Sequence, residues 1–509
     1  MAFESFAGNF SINTATGNQS IIGVGFLPKI VIFYGSFTTA DGVAVDAMIP
    51  VGAALSSSDR FAVMTTSEDG QGTTDTRGVV KTDKCLSLFE AGSSATIEYE
   101  ADFVSLDVDG FTINVTTAPG VAYRIGYLAL GGDTLTNVYL GDYQMGTSTG
   151  NEVVTGVGFE PDAIMLFANG IASATTANTS DMNISIGYAT SPTKQGTAAI
   201  FSQEWVGTSV TYRYQVSDKM LAGFSGGAFI HYELDLVSFD ADGFTYDLTN
   251  APTSGRNFKY ICLQGGEYDV GVFNSQTSTG TFSISGLGFT PQAGVFTSVL
   301  GATSAIEELN NKLNIGLATG NAEQFTIGST DEDNQSPSNS DNFSDDSRVY
   351  LNYDFAQTKL GDISLTSWDA DGFTLDQMDA DPIANEVIYF VIGSPYIPPV
   401  IGGVAFSINA VGVVGVQCAW SQVVIRDGVN NVQTFSPFAS HSWSIDKMYA
   451  TEYTVLEANR GQPVVLITND IYDMNTQKTY NDVIMESIVG NQEGHKMVNV
   501  QISFRVNVT

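Results

Sequence analysis

Ser105-Leu106-Asp107-Val108-Asp109-Gly110-Phe111-Thr112 sets an Asp-Gly turn between apolar residues, a β-hairpin signal, and the chain carries it three times. It returns from Ser238 to Thr245 and from Ser367 to Thr374. Two other blocks keep step with it. Gly23-Val24-Gly25-Phe26-Leu27-Pro28 is matched by Gly156–Pro161 and by Gly286–Pro291, at nearly the same offsets as the turn block. Downstream, Tyr127, Tyr260 and Tyr389 each follow the turn phenylalanine (Phe111, Phe244, Phe373) by one identical step. Three blocks in one order at nearly constant spacing define an internal repeat, and the repeat governs the fold reading.

Weaker matches place the boundaries. Phe6-Ala7-Gly8-Asn9-Phe10 aligns with Tyr139–Tyr143 and Asp269–Phe273, each followed by a Thr/Ser-rich turn ending in Gly17, Gly150 or Gly280. The units are then 1–138, 139–268 and 269–394. Residues 395–399 contain clustered prolines and read as a short stiff linker. Residues 400–509 lack all three blocks and form a different C-terminal domain. The local pattern is β almost throughout. Lys29–Tyr34 and Ala163–Phe167 are short runs of strand formers, as buried strands require. Val498, Val500, Ile502, Phe504, Val506 and Val508 alternate with polar residues, which predicts a closing strand pinned in a sheet. Only Ala305–Leu313 has a helix-like pattern. The expected fold is therefore all-β: three tandem antiparallel β-sandwich repeats and a distinct, mainly β C-terminal domain. Short connections force neighbouring repeats into contact, either as a pseudo-threefold ring within one chain or as a linear stalk that trimerises.

Composition narrows the function. The 509 residues carry 20 Lys plus Arg against 55 Asp plus Glu, a net charge of −35, while 43% are apolar. Such a chain folds, and it repels phosphate backbones and anionic lipid, so neither nucleic-acid binding nor membrane insertion is expected. No apolar run reaches a membrane-spanning length, and the N-terminus lacks the basic region of a Sec signal peptide. Cys85, Cys262 and Cys418 make neither a disulfide framework nor a C-x-x-C pair, and three histidines leave little for a His-rich metal centre. No cofactor and no metal are expected.

Several residues invite a chemical reading. The Asp-x-Asp-Gly turns resemble half of a calcium loop, but the twelfth position, Thr116, Thr249 or Met378, is never the bidentate Glu such a loop needs. They read better as hairpin turns whose aspartates accept nearby backbone amides. Gly223-Phe224-Ser225-Gly226-Gly227, with His231 nearby, fits the nucleophile-elbow pattern, but strand-like sequence follows where a helix should, so it reads as a glycine-rich loop. Lys84, Lys219 and Arg348 recur at corresponding places. They are candidate contacts for a carboxylated sugar, inter-repeat ion pairs, or locally paired surface charges. Trp205, Tyr212 and Tyr214 in the second repeat and Trp443 in the last domain are candidate ligand or interface contacts. The acidic, Ser/Asn-rich stretch from Asp331 to Asp346 reads as an insertion in the third repeat forming a solvated loop tip. No pair among the 55 acids is singled out for glycoside hydrolysis. No catalytic residue is assigned.

The combination G-x-G-F-x-P, S-x-D-x-D-G-F-T and an aromatic-aliphatic strand ending in Gly resembles modules in virion proteins of tailed bacteriophages. More distantly, it resembles the H-type lectin domain, a small antiparallel sandwich that trimerises and binds sugars. The resemblance covers residues 1–394. It implies a non-enzymatic virion component, a tail-fibre or baseplate protein meeting host glycans. Alternatives are a capsid decoration protein held on the shell and a polysaccharide-depolymerising spike. Implied partners are other virion proteins, a host surface glycan, and further copies in a trimer. Residues 400–509, outside the resemblance and unlike the repeats, are expected to serve for attachment, with the repeats outermost.

Overall fold

The computed structural model describes residues 3–394, except 91–95, 173–176, 225–228 and 302–306, and the backbone of six strands between 400 and 507. Phe3–Ser394 forms one compact unit, and the segment from Pro395 onwards forms another. Every regular element among the described residues is a strand.

Each repeat is a sandwich of one long and one short antiparallel sheet, with one strand order used three times. In the first repeat the long sheet runs Phe3–Ser11, Arg124–Gly132, Pro28–Gly35, Ala47–Ala54, Arg60–Ser67, Thr76–Lys81, and the short sheet runs Gly17–Ile22, Gly110–Thr117, Ile97–Asp107, Leu86–Phe89. The uninterrupted apolar runs have a simple cause. Side chains alternate across a strand, and here both faces are buried. Val31 and Phe33 point into the first sandwich, while Ile30, Ile32 and Tyr34 point the other way into a core shared by all three repeats. Ile164 and Leu166 likewise face the second sandwich, and Met165 and Phe167 the shared core. Within that core Phe61 meets Phe167 at 5.9 Å, Tyr188 stacks on Phe390 at 5.4 Å, and the Tyr188 hydroxyl shares a 2.8 Å hydrogen bond with Thr297 Oγ1. At about 1.5–3 kcal/mol per fully buried large side chain, the shared core is a main source of cohesion, and a single repeat would leave one sheet face bare.

The repeats close into a cycle. Ala177–Thr179 of the second repeat adds a strand to the first repeat's long sheet, beside Thr76–Lys81. Glu308–Leu309 of the third adds to the second, beside Thr211–Val216, and Gly42–Val45 of the first adds to the third, beside Ser340–Asp345. Each long sheet thus has seven strands, one of them borrowed. Glu308–Leu309 and Asn311–Ala318 are strands, so the helix-like pattern of 305–313 does not become a helix. Asn311–Ala318 is paired on both sides within the third repeat's long sheet and its Leu313 faces the shared core, while Glu308–Leu309 adds to the second repeat's sheet, so sheet pairing overrides local propensity. Residues 302–306 lie outside the described set.

Three loops of equal length interlock at one end of the cycle: 68–75, 203–210 and 332–339. The amides of Gly70, Trp205 and Asn334 donate to the carbonyls of Ser338, Thr74 and Ser209, at 2.9, 3.0 and 2.9 Å. The amides of Ser338, Thr74 and Ser209 donate back to Gln71, Val206 and Gln335, each at 2.9 Å. Asp69, Glu204 and Asp333 accept the amides of Ser340, Thr76 and Thr211 on the neighbouring repeat. This corrects the reading of 331–346. That stretch is no insertion, because 332–339 matches a loop of equal length in each other repeat. Nor is it a solvated tip: Ser340–Asp345 is a strand, buried over Ser340–Ser344 between Gln324–Asp331 and the borrowed Gly42–Val45. Its acidity misled because these carboxylates have partners: Asp333 accepts the Thr211 amide of the second repeat, Asp331 accepts the Ser340 hydroxyl, and Asp346 pairs with Arg124 of the first repeat.

In the C-terminal unit the described strands form a six-stranded antiparallel sheet, and Lys496–Asn507 lies between Gln477–Glu493 and Phe438–Tyr449. The closing strand is internal to the sheet of its own unit. The Pro-rich segment 395–399 lies outside the described residues.

Candidate functional site

The three sequence blocks meet in space, which explains their spacing. In each hairpin turn the first aspartate accepts two side-chain hydroxyls: Asp107 from Ser105 (2.8 Å) and Thr112 (2.7 Å), with Asp240 and Asp369 repeating the pattern. The second aspartate latches the G-x-G-F loop. Asp242 accepts the amides of Gly156 at 3.1 Å and Gly158 at 2.6 Å, and Asp371 accepts those of Gly286 and Gly288 at the same distances. Both loop glycines have left-handed φ, 90° and 85° in the second repeat, which turns their amides toward one anion. The turn phenylalanine then meets the tyrosine of the third block, edge to face: Phe111–Tyr127 at 5.1 Å, Phe244–Tyr260 at 5.4 Å, Phe373–Tyr389 at 5.3 Å. The motifs are the staple of each sandwich.

The recurrent cations are ion-paired within their own repeats. Lys84 meets Asp102 at 2.9 Å, Lys219 meets Asp235 at 3.1 Å and Arg348 meets Asp362 at 2.6 Å. Tyr214 is buried with its hydroxyl donating to Glu233 at 3.0 Å, and Tyr212 packs against Phe201 and Phe224. Trp205 is 70% exposed on the interlocked loops. Trp443 lies in the strand Phe438–Tyr449, opposite Ile502. Ser225 lies outside the described residues, while His231 Nδ1 contacts the Phe229 carbonyl at 3.0 Å. Cys85 and Cys262 are buried, and burial pushes both thiols well above their ordinary range.

The surface offers two places of interest beyond these. One is a shallow cleft of about 330 Å³ between the first and third repeats, bordered by Phe6, Asn9, Ile22 and Tyr127 on one side and Glu323 and Gln324 on the other. The other is the cap made by the interlocked loops. Directly beneath the cap, Ser67, Ser202 and Asp331 end the corresponding strands of the three repeats. Asp331 is 1% exposed and accepts the Ser340 hydroxyl at 2.9 Å. Burial pushes its carboxyl up to about 6, opposed by hydrogen bonds from Ser202, Ser67 and Ser340. Asp41, Asp345 and Asp346 cluster beside the cycle-closing strand, where Arg124 pairs with Asp41 and with Asp346.

Sequence reasoning missed the cap because its partners belong to different repeats and lie far apart along the chain. A usable signal existed: Ser or Thr at 74, 209 and 338, each at the same step after the long-sheet strand. Compared with known protein families and with curated proteins, the chain matches none.

Proposed function

We propose that the protein is a non-enzymatic structural component of a tailed-bacteriophage virion, a tail-fibre or baseplate protein that adheres to host glycans. One observation carries this reading: three modules of one design are covalently tandem and closed into a cycle by exchanged strands. A ring of that kind is a trimer that needs no assembly from separate chains, so it holds its shape at any dilution. It also offers its loops as one rigid, multivalent face, and several weak contacts then add to useful avidity. The charge of −35 keeps such a particle soluble and self-repelling. The C-terminal sheet serves as the attachment module in this reading.

Incubating the pure protein with host-cell polysaccharide tests the proposal. Retention without release of reducing ends is expected, whereas release of reducing ends would replace it with a depolymerising spike. Immunogold labelling of intact particles is expected to mark the tail. Label on the head would favour a decoration protein bound to the shell. A chain ending at residue 399 is expected to stay soluble and fail to enter particles.

A further inference from the structure

Gly70, Trp205 and Asn334 occupy the same place in the three cap loops, and all three adopt left-handed backbone, with φ of 71°, 58° and 57°. Glycine takes this conformation freely and asparagine readily, while a bulky residue is strained in it. Trp205 is thus the unfavourable choice at a position where its two counterparts are the natural ones. The conformation is enforced from several directions. Asp181 accepts the Glu204 amide at 3.0 Å, the Thr74 carbonyl accepts the Trp205 amide at 3.0 Å, and Thr74 Oγ1 accepts the Val206 amide at 3.0 Å. The Glu204 carboxylate accepts the Thr76 amide as well. Packing does not offset the strain, because the side chain is 70% exposed. A strained residue held rigidly and aimed at solvent points to a contact outside the chain.

We infer that Trp205 is the stacking platform of a binding site for a neutral sugar ring on the cap, an inference that rests on the adhesion reading and gives it a location. The surroundings choose the ligand. Gly70, Thr73, Gly207, Thr208, Asn334 and Ser336 are exposed in the three interlocked loops that carry Trp205, small or polar and rich in hydroxyl and amide groups. An indole face covers the C–H face of a pyranose, and such neighbours bond its hydroxyls. A protein partner would need a broad apolar centre, and here one large aromatic stands among small residues. The loops contain Glu68, Asp69, Asp75, Glu204, Glu332 and Asp333 and no Lys or Arg, which repels sialylated or uronic sugars.

The test uses the full chain on an array of neutral and acidic oligosaccharides, with Trp205→Ala, Trp205→Gly and Trp205→Phe variants, and ¹⁹F spectra of 5-fluorotryptophan-labelled protein. Binding of wild type to a subset of neutral glycans is expected, weakened at least tenfold in Trp205→Ala and Trp205→Gly. The resonance missing from Trp205→Phe should be the one that shifts on titration with the bound sugar. Thermal midpoints of the variants equal to or above wild type would show that the fold is intact. Neutral-glycan binding kept within twofold by both truncations would overturn the inference while leaving the adhesion reading in place. Binding confined to acidic glycans would also overturn it. A blank array for wild type would defeat both, and if the variants then failed to enter particles, Trp205 would be a protein anchor.

Discussion

Replacing Asp331 by asparagine is expected to stabilise the protein at neutral pH and to do so much less in acid. Burial pushes this carboxyl from an ordinary 3.8 up to about 6. Between those values the folded chain holds a proton that the unfolded chain has released. Stability therefore falls as pH rises through that window, and the loss is complete above about pH 6. A displacement of about two pH units corresponds to about 3 kcal/mol. For a compact unit spanning Phe3–Ser394, an unfolding entropy of about 2.1 cal/mol/K per residue converts that into roughly 4 °C of midpoint. Asparagine carries no charge to desolvate, and the hydroxyls of Ser67, Ser202 and Ser340 can rotate to accept from its amide. Scanning calorimetry or urea titration of both proteins at pH 7.5, 6 and 4.5 measures the difference. A gain of up to about 3 kcal/mol at pH 7.5 that shrinks to about 1 kcal/mol at pH 4.5 is expected. Other carboxylates raised by burial, Asp341 up to about 6 among them, give both proteins a shared acid stabilisation, which the difference removes. A variant equally displaced at all three pH values, or less stable than wild type at pH 7.5, would show that Asp331 is not a costly buried charge.

Two further substitutions probe the repeat. Asp242→Ala removes the acceptor of the Gly156 and Gly158 amides. It is expected to cost about 1–3 kcal/mol and to open residues 156–160 to limited proteolysis; unchanged cleavage there would refute the latch. A Cβ at Gly187 would stand 1.9 Å from the Met220 carbonyl oxygen, backbone against backbone. Gly187→Ala should therefore lower stability by about 3 kcal/mol or more, whereas Gly120→Ala, which meets open space, should leave it nearly unchanged. Equal urea midpoints for the two would refute the close approach.

The repeat, its β character and the turn chemistry were legible in the sequence because they rest on local rules. An Asp-Gly pair bends a chain wherever it stands, and a short run of β-branched and aromatic residues fits a pleated, buried surface. Spacing at near-constant offsets needs no structure to be seen. What joins the repeats was not legible. Gly42–Val45, Ala177–Thr179 and Glu308–Leu309 are too short to announce themselves as strands, and each pairs with a different repeat from its own. The acids of 331–346 look solvated until the other repeats arrive with partners, the Thr211 amide for Asp333 and the Arg124 guanidinium for Asp346. Trp205 was a candidate contact from the sequence alongside Tyr212, Tyr214 and Trp443, and only its equivalence to Gly70 and Asn334 shows that the backbone there is strained to hold it. Local propensity acts within a short span of chain. The cap, the shared core and the exchanged strands rest on contacts between repeats, whose free energy exists only once all three have folded together.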